Sequence, residues 1–360
     1  DIAVLQYTGG TTGLPKGAAL THHNLVANAL QCLAWFPDSV PGEERVLAVL
    51  PFFHVFAMTV ALNLSIAAGA EITLMPQLDI KSLLATIRRK RPTTVPGVPT
   101  LFTALYTHSQ GKDIDFTSIK SCISGGAPLP AEVKAKFEAL AKCTVVEGYG
   151  LSETSPVVCC NPLRGINKTG SVGVPVPGTI VEILSLDDPS QVLPQGERGE
   201  IAVRGPQVMQ GYWRNADATA KVMTAGRLRT GDVGYLDAEG YLFIVDRIKD
   251  IIIASGYKIY PRNVEEAIYR HPTVAECIVL GIKDPYRGET VKAYVALVPG
   301  AKLETQELLD FLKDKLSPIE MPKLVEFRAN LPKTLIGKPS KKALLEEEAK
   351  RVARPSTTAQ

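Results

Sequence analysis

Short apolar runs alternate with helical patterns through the first half of the chain. Ile2–Leu5 reads as a short buried strand, and Thr21 is placed to cap a helix continuing to about Ala34. Val46–Leu50 and Glu71–Met75 read as strands, Lys81–Arg89 as a helix, Thr94–Val95 as extended backbone and Ser121–Ser124 as a strand. Pro130 leads into a helix over Ala131–Ala141, and Val145–Glu147 is a further strand. This alternation predicts an α/β fold with a doubly wound parallel sheet. From about Val172 the texture becomes short β runs with Gly and Pro turns, such as Glu200–Arg204 and Tyr241–Val245, which predicts a small β subdomain over about 172–245. The pattern shifts again at Asp246–Asp250. Beyond it, Pro261–Tyr269 and Thr305–Leu316 read as helices, and Glu276–Leu280, Val291–Val298 and Leu324–Arg328 as strands. These predict an α+β C-terminal domain over 251–350, whereas 351–360 has no apolar period and is expected to be disordered.

Composition narrows the picture only a little. The 360 residues allow two or three domains, and 45% hydrophobic with 21% charged residues is ordinary for a globular protein. A net charge of +3 is too small to imply a nucleic-acid partner, and Arg88-Arg89-Lys90-Arg91 reads as a solvated helix end. No run of about 18 apolar residues is present, so no membrane-spanning helix is expected; Met58–Ala70, the most apolar stretch, reads as core. Cysteines 32, 122, 143, 159, 160 and 277 lack zinc-type spacing and read as reduced thiols of a cytosolic protein.

Chemistry enters with residues 7–18, Tyr-Thr-Gly-Gly-Thr-Thr-Gly-Leu-Pro-Lys-Gly-Ala. Gly9, Gly10 and Gly13 let a turn bring backbone N–H groups to an anion; Thr8, Thr11 and Thr12 add hydroxyls, and Lys16 adds a mobile charge. The set suits a polyphosphate, and after a strand it would sit at a sheet's carboxyl edge. A Gly/Thr-rich surface turn is the plainer alternative. The Walker A spacing is excluded, because Lys16 lies between Pro15 and Gly17.

Further clusters are individually ambiguous. In Glu147-Gly148-Tyr149-Gly150-Leu151-Ser152-Glu153-Thr154 the glycines leave a tyrosine ring bare for stacking, Ser152 can reach a phosphate, and Glu153 is a hard carboxylate of the kind that holds Mg²⁺ together with substrate phosphates. A strand-to-turn connection with a solvated Glu explains it as simply. Gly125, Gly126 and Ala127 follow a strand, where a flat ligand could approach or where a βα turn suffices. Asp232, in Arg229-Thr230-Gly231-Asp232, is a short carboxylate on a glycine turn, as an ordinary Asx turn would have. Asp246-Arg247-Ile248-Lys249-Asp250 stands where an interdomain hinge is expected. His54, in Pro51-Phe52-Phe53-His54-Val55-Phe56, is a lone histidine among aromatics and by itself reads as a satisfied core residue. In Pro332-Lys333-Thr334-Leu335-Ile336-Gly337-Lys338 a glycine beside a lysine could aim one ammonium at developing negative charge; Lys333, Lys341 and Lys342 read as surface residues.

Taken together, the residue 8–17 loop and the Tyr149–Glu153, Asp232, Arg247 and Lys338 motifs resemble those of the adenylate-forming superfamily of acyl-CoA synthetases, luciferases and peptide-synthetase adenylation domains. Over residues 3 to about 347 the texture is most similar to bacterial long-chain fatty acid–CoA ligases, notably in Gly205–Trp213 and Pro322–Arg328. The resemblance implies ATP-dependent joining of a carboxylic acid, a medium- or long-chain fatty acid, to coenzyme A through acyl-AMP, with release of pyrophosphate and then AMP. It implies that Lys338 is the catalytic lysine, that Glu153 and Thr8 hold Mg²⁺, that Lys16 holds phosphate and that His54 lines the carboxylate entrance. Glu147, Gly148, Tyr149, Gly150, Ser152, Gly125, Gly126 and Ala127 would border the nucleotide, with Asp232, Arg247 and Lys249. Gly256, Tyr257 and Lys258 would line the path of the CoA arm. In the family a substantial region precedes the phosphate loop, so the chain is expected to be about the C-terminal two thirds of a longer enzyme. Two departures stand out: Ser152 where Thr is usual, and Pro339 where an aliphatic residue follows the lysine. Acyl-adenylate donation to a carrier protein, ligation of an aryl or short-chain acid, and a nucleotide-binding fragment without catalysis are the competing readings. No nucleic-acid partner is expected; a cytoplasmic location, peripheral membrane contact and a homodimer are compatible with the sequence.

Overall fold

The computed structural model describes residues 1–8, 15–109, 111, 114–333 and 340–353. By internal contact the chain divides into two compact units, one of residues 1–230 and 234–244, the other of 231–233 and 245–360.

The first unit is built on a seven-stranded sheet in the order Glu71–Leu74, Arg45–Ala48, Thr94–Gly97, Ser121–Ser124, Thr144–Gly150, Val157–Cys160, Val174–Pro175. The first five strands are parallel and the last two pairings antiparallel. Neighbouring residues on its strands face opposite ways, and both faces are covered. Cys122 and Val145 look into a core with Leu83, Ile87, Phe102, Leu105 and Phe137, from the helices Ile80–Lys90, Pro99–Ser109 and Ala131–Ala141. Ile123 and Val146 look the other way, onto Cys32 of the helix His22–Ala34 and onto Phe56, Val60 and Leu64 of the helical stretch 55–67. This is the doubly wound arrangement that the alternating pattern predicts. A second sheet follows, ordered Ile180–Leu184, Gly199–Arg204, Arg227–Leu236, Met223–Thr224, with Leu242–Arg247 also paired to Arg227–Leu236.

The second unit is α+β. Its sheet runs Tyr257–Ile259, Ile252–Ala254, Gly288–Leu297, Val274–Asp284, with Leu324–Phe327 parallel to Gly288–Leu297. Val264 and Ile268 of the helix Pro261–Tyr269 pack with Leu308 and Leu312 of Thr305–Leu312 on Val279, Ala293 and Val295. Leu344, from the helix Lys341–Ala353, packs with Ile278, Leu280 and Tyr294 on the other face.

Three expectations change. The run at Ile2–Leu5 is not a buried strand of the parallel sheet: Ile2–Thr8 pairs antiparallel with Lys16–Thr21 in a two-stranded sheet, Thr8 opposite Lys16, and none of its residues is fully buried. Thr8 and Lys16, at the two ends of the Gly/Thr-rich motif, therefore belong to paired antiparallel strands and not to the parallel sheet, a distinction that apolar periodicity over four residues cannot make. The helices Pro99–Ser109 and Lys341–Ala353 were not foreseen; the second exposes most of its polar side chains and docks through few apolar ones. It also continues through 351–353, where disorder was expected; residues 354–360 lie outside the described residues. Arg88, Arg89 and Lys90 form the last turn of their helix, as read, and Arg91 beyond them takes a left-handed φ of 48° and pairs with Asp115 at 2.6 Å. All six cysteines are free, and no helix among the described residues is long and apolar enough to cross a membrane.

Candidate active site

The strand Ser121–Ser124 runs straight into Gly125 and Gly126. Gly125 N–H donates to Gly97 O at 3.1 Å, and a Cβ on Gly125 would lie 3.0 Å from the Phe56 ring. Phe56 is thus the neighbour that crowds this position, while Gly126, at φ +83°, adopts the left-handed turn that follows. Ala127 lies in the same connection. His54 is half-buried at the start of the helical stretch, and its Nδ1 accepts the Phe56 N–H at 3.2 Å. An accepting Nδ1 places the proton of a neutral imidazole on Nε2. His54 therefore has a capping role in addition to any contact with a substrate.

The neighbouring strand Thr144–Gly150 carries the second cluster. Glu147 is buried, and its Oε1 accepts the Leu129 N–H at 3.0 Å, so this side chain pins the Gly125–Leu129 connection to the adjacent strand. Gly148 pairs with Cys160 across the antiparallel edge. Tyr149 is not bare as expected: it pairs with Cys159 and packs, half-buried, against a core containing Val158 and Val203. Gly150 is dictated by crowding, because a Cβ would come within 1.9 Å of Pro156 O. The chain then turns through the single 3-10 turn Ser152–Thr154, where the fully buried Thr154 receives the Leu151 N–H at 3.0 Å.

That turn presents Glu153 to a residue the sequence reading passed over. Tyr212 donates its hydroxyl to Glu153 Oε1 at 2.7 Å, and Lys16 Nζ stands 5.1 Å from the centre of the Tyr212 ring. The backbone holds this arrangement: Trp213 N–H donates to Gly17 O at 2.8 Å, Ala19 N–H to Gly211 O at 2.9 Å, and Met209 N–H to Glu153 O at 2.8 Å. Burial, followed by the Glu153 charge, pushes the Tyr212 phenol well above its usual range, so it remains a donor at neutral pH. With Oε1 occupied by Tyr212, the carboxylate is oriented and its other oxygen can face a cation. Thr8 directs its hydroxyl at Lys16 O, at a long 3.5 Å. Among the described residues no three His, Cys, Asp or Glu side chains cluster to hold a metal. A single carboxylate with one oxygen oriented by Tyr212 fits Mg²⁺, which takes one or two carboxylates and completes its shell with phosphate and water. Tyr212 had one sequence signal, its place in the Gly205–Trp213 stretch.

In the second unit, Asp232 is almost wholly buried and lies 3.0 Å from Arg247 Nε, whose side chain is half exposed. Asp246 accepts from Arg247 N–H and from Arg262 N–H, each at 2.8 Å. Burial, followed by the Arg247 charge, draws the Lys249 ammonium below its ordinary pKa. Ser255 (φ +51°) and Gly256 (φ +84°) form the two-residue turn of a hairpin in which Ala254 pairs with Tyr257. Both central residues having positive φ, this is a type I′ turn. Tyr257 and Lys258 are exposed. Lys341 is not the surface residue expected: its side chain is only 22% exposed and lies among Asp246, Asp250 and Glu265. Gly9, Gly10, Thr11, Thr12, Gly13 and Lys338 lie outside the described residues.

The site residues thus gather as Lys16 with Glu153 through Tyr212, as Gly125 with His54 through Phe56, and as Asp232 with Arg247. Known proteins are similar to this chain over nearly its whole length. A long-chain-fatty-acid–CoA ligase of Bacillus subtilis is 52% identical over 97% of this chain, and one of Yersinia pestis is 42% identical over 97%. The chain spans 62% of the length of each. The crystal structure of ATP-bound MatB from Rhodopseudomonas palustris, 33% identical, superposes with a TM-score of 0.90 over 98% of this chain and 69% of that one. The family of AMP-binding enzymes matches residues 1–213, and the AMP-binding enzyme C-terminal domain matches 263–338. The chain belongs to the AMP-binding enzyme family.

Proposed function

We propose that this chain serves ATP-dependent acid–thiol ligation, joining a medium- or long-chain fatty acid to coenzyme A. The observation that carries the reading is the Lys16–Tyr212–Glu153 arrangement, a phosphate-seeking cation and a metal-seeking carboxylate on a shared tyrosine, in a chain 52% identical to a protein named long-chain-fatty-acid–CoA ligase.

In the first step the fatty carboxylate attacks the α-phosphorus of ATP, giving acyl-AMP and pyrophosphate. Such chemistry needs positioning and charge neutralisation more than covalent assistance. Lys16 and the Thr8–Gly13 loop hold the β- and γ-phosphates, and Ser152 donates to a phosphate oxygen. Glu153, oriented by Tyr212 and aided by Thr8, would hold Mg²⁺, which when bound neutralises charge on the phosphates. Asp232 accepts from the ribose hydroxyls, with Arg247 and Lys249 supplying positive charge, and Lys338 stabilises the charge that develops between carboxylate and phosphate. Gly125–Ala127 and Tyr149 border the adenine, and His54 stands at the acid's entrance. In the second step the CoA thiol attacks the acyl carbonyl and AMP leaves. The 251–350 domain turns about 246–250 between the steps, bringing the Gly256–Lys258 hairpin to the pantetheine arm. ATP and CoA place the reaction in the cytoplasm, and a fatty acid drawn from a bilayer would bring the enzyme to the membrane's inner face.

The deciding experiment is AMP release by the full-length gene product with and without CoA, across fatty acids of graded length and aromatic acids. CoA-dependent release greatest with medium or long chains supports the reading. Release independent of CoA points to a carrier-protein acceptor, and ATP binding without pyrophosphate release to a nucleotide-binding protein alone. Lys338→Ala is expected to cripple acyl-AMP formation and to spare thioester formation from supplied acyl-AMP; equal loss of both removes Lys338 from its role.

A further inference from the structure

The last helix opens on a lysine to which neither half-reaction as described gives a role. Lys341 Nζ lies 3.9 Å from Asp246 Oδ1, 3.9 Å from Asp250 Oδ2 and 3.7 Å from Glu265 Oε1. The carboxylates come from the 246–250 segment and from the helix Pro261–Tyr269, so one ammonium joins three separate stretches of the C-terminal unit. The near-equal distances place it in the space the three acids share rather than on any one of them. A cation there offsets the mutual repulsion of all three, which a tight pair with one acid would not do.

Asp246 is the pivot of this cluster. Its Oδ2 accepts the Arg262 N–H in the first turn of Pro261–Tyr269, a helix whose own N-cap, Tyr260, offers no side-chain cap. Its Oδ1, the oxygen facing Lys341, accepts the Arg247 N–H, and Ile251 N–H returns to Arg247 O at 3.2 Å. The backbone of Arg247 is thereby tied to the carboxylate that Lys341 holds, and its guanidinium reaches Asp232. The helix cap would survive loss of Lys341, so the cluster's effect is local to the segment.

We propose that Lys341 is a positioning residue: it fastens the Asp246–Asp250 segment to the body of the C-terminal unit and so holds Arg247 at Asp232. Consequently a turn about this segment must first loosen the contacts of Lys341 with Asp246 and Asp250. The consequence for nucleotide binding rests on the function proposed above; the fastening does not.

Hydrogen exchange of the full-length protein, read by mass spectrometry, separates the two. In Lys341→Met the peptides covering 245–251 should exchange about 10-fold faster while Val274–Asp284 stays at the wild-type rate, and Lys341→Arg should stay within about 3-fold of wild type. An unchanged linker overturns the proposal, as does an equal rise in Val274–Asp284, which would mark general destabilisation. ATP binding supplies the second readout. Lys341→Met should weaken it about 5-fold in the wild-type background and less than about 2-fold when Arg247 is already Ala, because both changes remove the same contact. Fully additive losses overturn the route through Arg247. Should the wild type bind no ATP, the proposed function fails, and the exchange rates still decide the fastening.

Discussion

Two regions carry most of the candidate site, and different forces hold them. The Glu147–Thr154 stretch is fixed by space: Gly150 meets Pro156 O, Thr154 is buried, and Glu147 is bonded within the core. The segment from Asp246 to Asp250, with Asp232, is fixed by charge, through Arg247, Lys341 and the acids around them. The first is the construction of a rigid platform, where a small steric change propagates because packed interiors cannot yield locally. The second is the construction of a part that can shift, since partly exposed ion pairs exchange readily with water and salt. The contrast predicts two kinds of mutational response.

The largest effect belongs to the platform. Gly150→Ala places a methyl 1.9 Å from one backbone atom and 2.6 Å from another, neither of which can rotate away. Urea denaturation should show a loss of about 3 kcal/mol or more, at or beyond the top of the overpacking range. A stable Gly150→Ala protein would break the distinction between the regions. Next comes the carboxylate mounted on the platform. Glu153→Gln should reduce pyrophosphate exchange at saturating ATP about 100-fold, a loss of several kcal/mol of charge stabilisation. Tyr212→Phe, which leaves Glu153 charged but releases its oriented oxygen, should cost about 10-fold, as removal of a ligand's orienting partner does. Equal losses would mean that Tyr212 acts on the reaction directly.

The charge-held region should respond less and in a salt-dependent way. Arg247→Ala is expected to weaken ATP binding about 10-fold at low ionic strength and distinctly less at 0.5 M salt, where exposed charges are screened within about 4 to 5 Å. Isothermal titration at the two salt concentrations measures this. An Arg247→Ala effect that ignores salt would show that packing, not charge, places the side chain.

The same contrast explains what could be read from the chain beforehand. Helices with local signals came through with their limits: Thr21 caps His22–Ala34 with Asn24 completing a capping box, and Ala131–Ala141 and Pro261–Tyr269 begin after or at a proline. The doubly wound sheet was legible because Cys122/Ile123 and Val145/Val146 are apolar on both faces. Pairing partners were not legible. Ile2–Leu5 looks the same in a parallel sheet as in a hairpin, and Gly125 looks like a turn glycine until Phe56 is seen against it. Tyr212 gains its meaning only from Glu153, 59 residues away, and Lys341 only from three distant acids. A lysine in a polar stretch reads as solvated because its neighbours in sequence are; its neighbours in space decide otherwise.

The smallest predicted effect lies at Gly256, where two explanations make opposite predictions. Gly256 has φ +84° and open space where a Cβ would go, so an alanine there meets no atom and suffers only backbone strain, about 1 kcal/mol. Asparagine tolerates the left-handed region better and should recover most of that stability. If the glycine serves only the type I′ turn, Gly256→Asn will make thioester from supplied acyl-AMP at close to the wild-type rate. If the open space is the path of the pantetheine arm, as proposed, the same variant will be stable yet impaired, with its KM for CoA raised several-fold and its acyl-AMP formation unchanged. The asparagine variant therefore separates a residue required by its own backbone from one required by a substrate, a separation that alanine alone cannot make.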